Sequence, residues 1–120
     1  MKYLLMIHMN DEAWEGLTEA ERNEIMNAHE GFQKMLRESG EMVVTHALAN
    51  PGTSAVVRVK DGVPAVTDGP FAEAKEYLAG YYVIDCESRE RALEIAARMP
   101  ESRFLGVEVR PIMYSAGMEM

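Results

Sequence analysis

The sequence predicts an α+β domain, a mainly antiparallel sheet with two amphipathic helices on one face. Two observations carry this expectation. Apolar residues recur at helical spacing in two stretches and in strand-like runs elsewhere. The order that results is strand, helix, strand, hairpin, strand, helix, strand, which is the ferredoxin-like split βαβ plan. At 120 residues the chain reads as one domain, residues 1–120, large enough for a core of its own.

Residues 2–9 (KYLLMIHM) read as a buried strand, apolar on both faces except at Lys2 and His8. Asn10 to Gly16 reads as a connector holding the single tryptophan, Trp14, as a packing plug or subunit contact. The first long helix starts at Thr18, where Thr18 and Glu21 have the spacing of a capping box. Its apolar stripe runs through Ile25, Phe32 and Leu36, with Ala28 and Met35 at the shoulder, and Gly40 ends it. His29 falls inside that stripe. It reads either as a hydrogen-bonded core histidine or as an acid or base at the lip of a pocket.

Residues 42–49 form the second strand, broken by Asn50-Pro51-Gly52. The runs 55–60 and 63–67 flank Asp61-Gly62, a two-residue loop that favours a type I′ hairpin. Pro64 assigns the second arm to a sheet edge. In Thr67-Asp68-Gly69-Pro70-Phe71, turn chemistry leads into an aromatic residue expected in the core, and Ala72 to Glu76 could add one helical turn. Residues 77–86 (YLAGYYVIDC) are strand-like and long enough to be central, with Gly80 marking a close approach of another chain segment. Ser88 caps the second helix, whose Ala92, Ile95, Ala96 and Met99 keep helical spacing until Pro100 stops it. Residues 104–110 alternate, with Leu105, Val107 and Val109 on one face, before Pro111 and a Met-rich tail.

Composition narrows the functions. A formal charge of −8 and no basic run argue against binding a phosphate backbone, so no nucleic-acid partner is expected. Cys86 is alone, which excludes an intrachain disulfide, and it reads as a small hydrophobe. No apolar run approaches the ~20 residues of a membrane span, and the N-terminal run is too short for a signal peptide, so a cytoplasmic protein is expected. His8, His29 and His46 lack metal-ligand spacing, there is no glycine-rich phosphate loop, and no serine sits in an elbow motif. Neither a metal nor a cofactor is expected. What remains is acid–base chemistry on a small molecule, with His29 moving the proton, Asp68 orienting it and Arg58 or Lys75 holding an anionic group. The competing reading of Asp68 is a local turn cap.

Met1-Lys2-Tyr3-Leu4-Leu5, the run Val63 to Thr67 into Asp68-Gly69-Pro70-Phe71-Ala72-Glu73, Lys75-Glu76 before Gly80-Tyr81-Tyr82, and Glu108-Val109-Arg110-Pro111-Ile112 carry a resemblance. Over nearly the whole chain, the sequence resembles the YCII-related proteins bearing the DGPF motif. That resemblance implies a dimeric α/β barrel of ferredoxin-like subunits. It also implies a His–Asp pair in a cleft for those relatives held to be enzymes, and an association with extracytoplasmic-function sigma factors for others. His29 matches the histidine position. The matching aspartate position, just before a proline, is Met99 here. Independently, a sheet with one half-apolar face suits a homodimer with a ligand cavity shared between subunits.

Overall fold

The structure is a computed structural model that describes residues 1–117; the last two methionines of the Met-rich tail, Met118 and Met120, lie outside the described residues. Strands β1 (Lys2–Asn10), β2 (Met42–Ala47), β5 (Glu76–Asp85) and β6 (Val107–Pro111) form one sheet in the order β2-β5-β1-β6, with every neighbouring pair antiparallel. Two βαβ crossovers build it. Helix α2 (Glu19–Ser39) links β1 to β2, and α3 (Arg89–Ala97) links β5 to β6. This is the ferredoxin-like α+β arrangement expected from the order of elements. Strands β3 (Ala55–Lys60) and β4 (Val63–Asp68) form a separate two-stranded hairpin inserted between β2 and β5.

Local chemistry explains the boundaries. Thr18 and Glu21 make the reciprocal capping box, at 3.1 and 2.8 Å, and Gly40 closes α2 in the left-handed region at φ 77°. Ser88 Oγ accepts from the Arg91 amide at 3.1 Å to start α3. Asp61 and Gly62 have φ of 52° and 77°, as a type I′ turn demands.

The core lies between one face of the sheet and the two long helices. Tyr3, Leu5, Ile7, Tyr82 and Ile84 supply the sheet side; Phe32 and Leu36 come from α2, and Ala92, Ile95 and Ala96 from α3. Strand alternation sends their neighbours Leu4, Met6, Tyr81 and Val83 to the opposite face. Among the described residues, no helix is long and apolar enough to cross a membrane.

Four local expectations need correction. The connector after β1 contains a short helix, α1 (Asp11–Glu15), because Asn10 Oδ1 caps the Ala13 amide at 3.1 Å. Phe71 is 82% exposed rather than in the core, since it belongs to the protruding connection, and the Arg58 guanidinium lies 5.5 Å from its ring centre. Ala72 to Lys75 make no helical turn, and Glu76 already belongs to β5. Leu105 is in a turn before Gly106, which takes φ 103°, so the last strand starts only at Val107.

Candidate functional site

His29 is the sequence-predicted residue around which polar groups converge. It sits on α2, three residues before the buried Phe32, so its ring is carried to the edge of the core with only 15% of the side chain exposed. Its Nε2 lies 2.6 Å from Glu101 Oε2 and its Nδ1 2.8 Å from the Tyr82 hydroxyl. Gln33, one turn along the same helix, donates from Nε2 to that hydroxyl at 3.1 Å. The imidazole and phenol rings lie nearly parallel, 5.8 Å apart, and Phe32 meets Tyr82 edge-on at 5.1 Å.

Donor and acceptor capacities order this chain. With Glu101 ionised, its carboxylate can only accept, so His29 donates from Nε2 and accepts at Nδ1 from the Tyr82 O–H, while Tyr82 accepts from Gln33. Burial pushes the Tyr82 phenol above its ordinary value, against a smaller opposing effect of the Gln33 hydrogen bond. The phenolate is therefore disfavoured as a resting state, and Tyr82 is suited to passing a proton rather than storing charge.

Glu101 is the one buried charged residue among those described, at 4% exposure. It belongs to the 3₁₀ turn Pro100–Arg103 that follows α3, and this turn delivers it to His29. Its second oxygen, Oε1, is out of contact with solvent and has no hydrogen-bond partner. A carboxylate in that condition is normally paired or functional.

These groups line a cavity of about 570 Å³. Ile7 and Met9 of β1, Trp14 of α1, Met26 and Glu30 of α2 and Tyr77, Ala79 and Gly80 of β5 supply the rest of its wall, and Thr45 to Ala47 of β2 close one side. Two backbone features shape it. A bulge between β1 and β5 leaves Ala79 without a partner on β1, since Ile7 faces Gly80 and His8 already faces Leu78. Gly80 lets β2 approach closely: a Cβ there would meet the His46 carbonyl oxygen at 2.9 Å. Trp14 packs edge-on against Phe104 with ring centres 6.3 Å apart, so it is both a plug and part of the wall.

The structure does not bring the other sequence candidates to this cavity. Asp68 is the exposed last residue of β4, opposite Ala55, and lies outside the cavity lining. Arg58 is exposed on β3, over Phe71. Lys75 lines a smaller concavity of about 280 Å³ with Asp11 and Tyr77. Burial raises the Cys86 thiol, which keeps it in the unreactive thiol form. Among the described residues no group of three His, Cys, Asp or Glu side chains is placed to hold a metal ion.

Sequence reasoning missed Glu101, Tyr82 and Gln33. Glu101 had a signal, because it stands immediately after Pro100 whereas Met99 stands immediately before it; the carboxylate sits on the other side of the proline. Gln33 had one in its spacing of four from His29 on a helix. Tyr82 had no signal of its own: only the folded sheet, where it shares the helix-facing side with Ile84, aligns its hydroxyl with His29.

Comparison with known proteins agrees with the fold. A model of the YCII-related domain matches residues 1–115. An uncharacterised protein of Rhizobium meliloti (strain 1021) is 30% identical over 120 residues, spanning 98% of this chain and 97% of that protein.

Proposed function

The chain belongs to the YCII-related family, and from that premise we propose that it performs acid–base chemistry on a small molecule through a Glu101–His29–Tyr82 relay. The observation that carries this reading is the single imidazole bridging a buried carboxylate and a buried phenol in the wall of a ligand-sized cavity. As a base, Tyr82 takes a proton from the substrate while its own proton moves to His29 Nδ1. The resulting imidazolium is stabilised by the ionised Glu101 2.6 Å away. As an acid, the same path runs in reverse. Glu101 takes the place that the sequence reading had given to Asp68.

The test needs no known substrate. In D2O, the protein should accelerate deuterium exchange at a carbon next to the carbonyl in a panel of small enolisable ketones, and His29→Gln should lower that exchange by about 10²–10⁴-fold. Absence of acceleration, or equal acceleration by His29→Gln, contradicts the proposal. The second reading is a non-catalytic dimeric module that binds a ligand or an extracytoplasmic-function sigma factor. It is favoured by the fact that both ring nitrogens of His29 already have protein partners. Under it, His29→Gln lowers stability and no exchange activity exists to be lost.

A homodimer supports either reading. Leu4, Met6, Val44, Tyr81 and Val83 form a half-buried, mainly apolar patch on the sheet face away from the helices, bordered by the His8–Glu108 pair at 2.9 Å and by Arg110. A patch of this kind is suited to a second copy of the same sheet.

A further inference from the structure

We infer that the cavity takes an uncharged or cationic small molecule with an apolar ring-sized body, and that it rejects carboxylates and phosphates. The inference uses the cavity of the proposed function but does not depend on any turnover there. Three observations carry it.

The wall is largely apolar and aromatic, with Ile7, Met9, Trp14, Met26 and Ala79 among its residues, which suits a flat hydrophobic body. Its charged residues are both acids. Glu30 and Glu101 line the cavity, and none of the fifteen lining residues is lysine or arginine. The two cations considered from the sequence, Arg58 and Lys75, lie elsewhere, over Phe71 and in the smaller concavity. Finally, Glu101 is buried and its side chain is held by His29, while no lysine or arginine of the wall offsets its charge. An ammonium in the cavity would balance that charge across a short distance, without having to touch the carboxylate. A ligand carboxylate would bring a second negative charge into a dry site beside Glu101 with no cation to offset it.

The cavity contains the chain's single tryptophan, Trp14, so one indole N–H resonance reports occupancy. The experiment titrates the ¹⁵N-labelled protein at pH 8, where an ordinary histidine is neutral, with phenethylamine, phenethyl alcohol and phenylacetate. These probes share a ring and differ in the polar head. The amine and the alcohol are expected to saturate the Trp14 shift at a concentration at least about tenfold below phenylacetate, about 1.4 kcal/mol in binding. In Glu101→Gln the amine should lose its advantage over phenylacetate. Met26→Lys places a cation in the wall at an exposed helix position, independently of whether Glu101→Gln folds, and should raise phenylacetate affinity. Phenylacetate binding as tightly as the amine in the native protein overturns the inference, as does failure of all three probes to move the indole signal. Discrimination without D2O exchange would sustain this inference and sink the relay. Exchange activity combined with a preference for phenylacetate would do the reverse.

Discussion

At the scale of single residues, the relay assigns different roles to groups that look alike in sequence. Tyr81 and Tyr82 are adjacent, yet only Tyr82 faces His29, because alternation turns Tyr81 to the other side of the sheet. Tyr82→Phe removes the hydroxyl that joins Gln33 to His29 and should reduce ketone exchange by about 10²-fold or more. Tyr81→Phe should leave that exchange within about threefold of native. Similar losses in both variants would contradict the assignment, and the same ketone exchange assay reads the difference. His29 itself was legible in sequence as a titratable residue on an apolar stripe. Its partner had only its place beside Pro100 as a signal, because the 3₁₀ turn places a carboxylate by backbone direction rather than by any helical or strand period.

At the scale of elements, two contacts fix how neighbouring segments pack. Gly80 was singled out by sequence as a close-approach position, and the 2.9 Å spacing from its would-be Cβ to the His46 carbonyl gives that expectation its physical content. Backbone, not a flexible side-chain end, is in the way. Gly80→Ala should therefore push β2 outward, cost about 1–3 kcal/mol and lower Tm by roughly 5–15 °C, with the wall at Thr45 to Ala47 displaced. Thermal unfolding followed by circular dichroism checks this, and an unchanged Tm would contradict it.

The second contact joins the segment after α2 to α3. Arg91 donates from Nε and Nη2 to the two oxygens of Glu41, at 2.9 and 2.8 Å. The Arg91 hydrogen bonds hold Glu41 below the ordinary Glu value of 4.5, against desolvation that acts the other way. A lowered folded pKa stabilises the fold above the unfolded value, and that stability is lost as pH falls through the folded value. Native Tm should therefore fall more steeply below about pH 4.5 than that of Glu41→Gln, which should start lower at neutral pH. Parallel Tm profiles would contradict this role. Capping boxes and hairpin turns such as Thr18–Glu21 and Asp61–Gly62 were legible because they act within four residues. The side-chain bridge from Glu41 to Arg91 spans fifty residues, and no local pattern announces it.

At the scale of the whole molecule, the fold class was legible because the order of periodic segments leaves few ways to cover one sheet face with two helices. The placement of the hairpin was not. Its Asp68-Gly69-Pro70-Phe71 segment suggested an active site or a core anchor, but β3 and β4 pair only with each other. Val57, Val59, Val63 and Val66 are left exposed, and the radius of gyration is 16.5 Å where a compact chain of this length would have about 14 Å. This projecting arm and the apolar sheet face both lead to the expectation of a homodimer. Light scattering should give about twice the 13.5 kDa chain mass, and Val83→Lys on the sheet face should halve it. A native monomer would contradict that expectation while leaving the cavity of the single chain intact.

The central claim is that one imidazole carries protons between a buried carboxylate and a buried phenol. Long-range ¹H–¹⁵N NMR of the His29 ring tests it most directly, because it reports which nitrogen holds the proton. Near neutral pH the ring should be in the Nε2–H form, with the Nδ1 signal shifting in Tyr82→Phe and the Nε2 signal in Glu101→Gln. A ring protonated at Nδ1 with Nε2 free, and unmoved by either substitution, would contradict the relay.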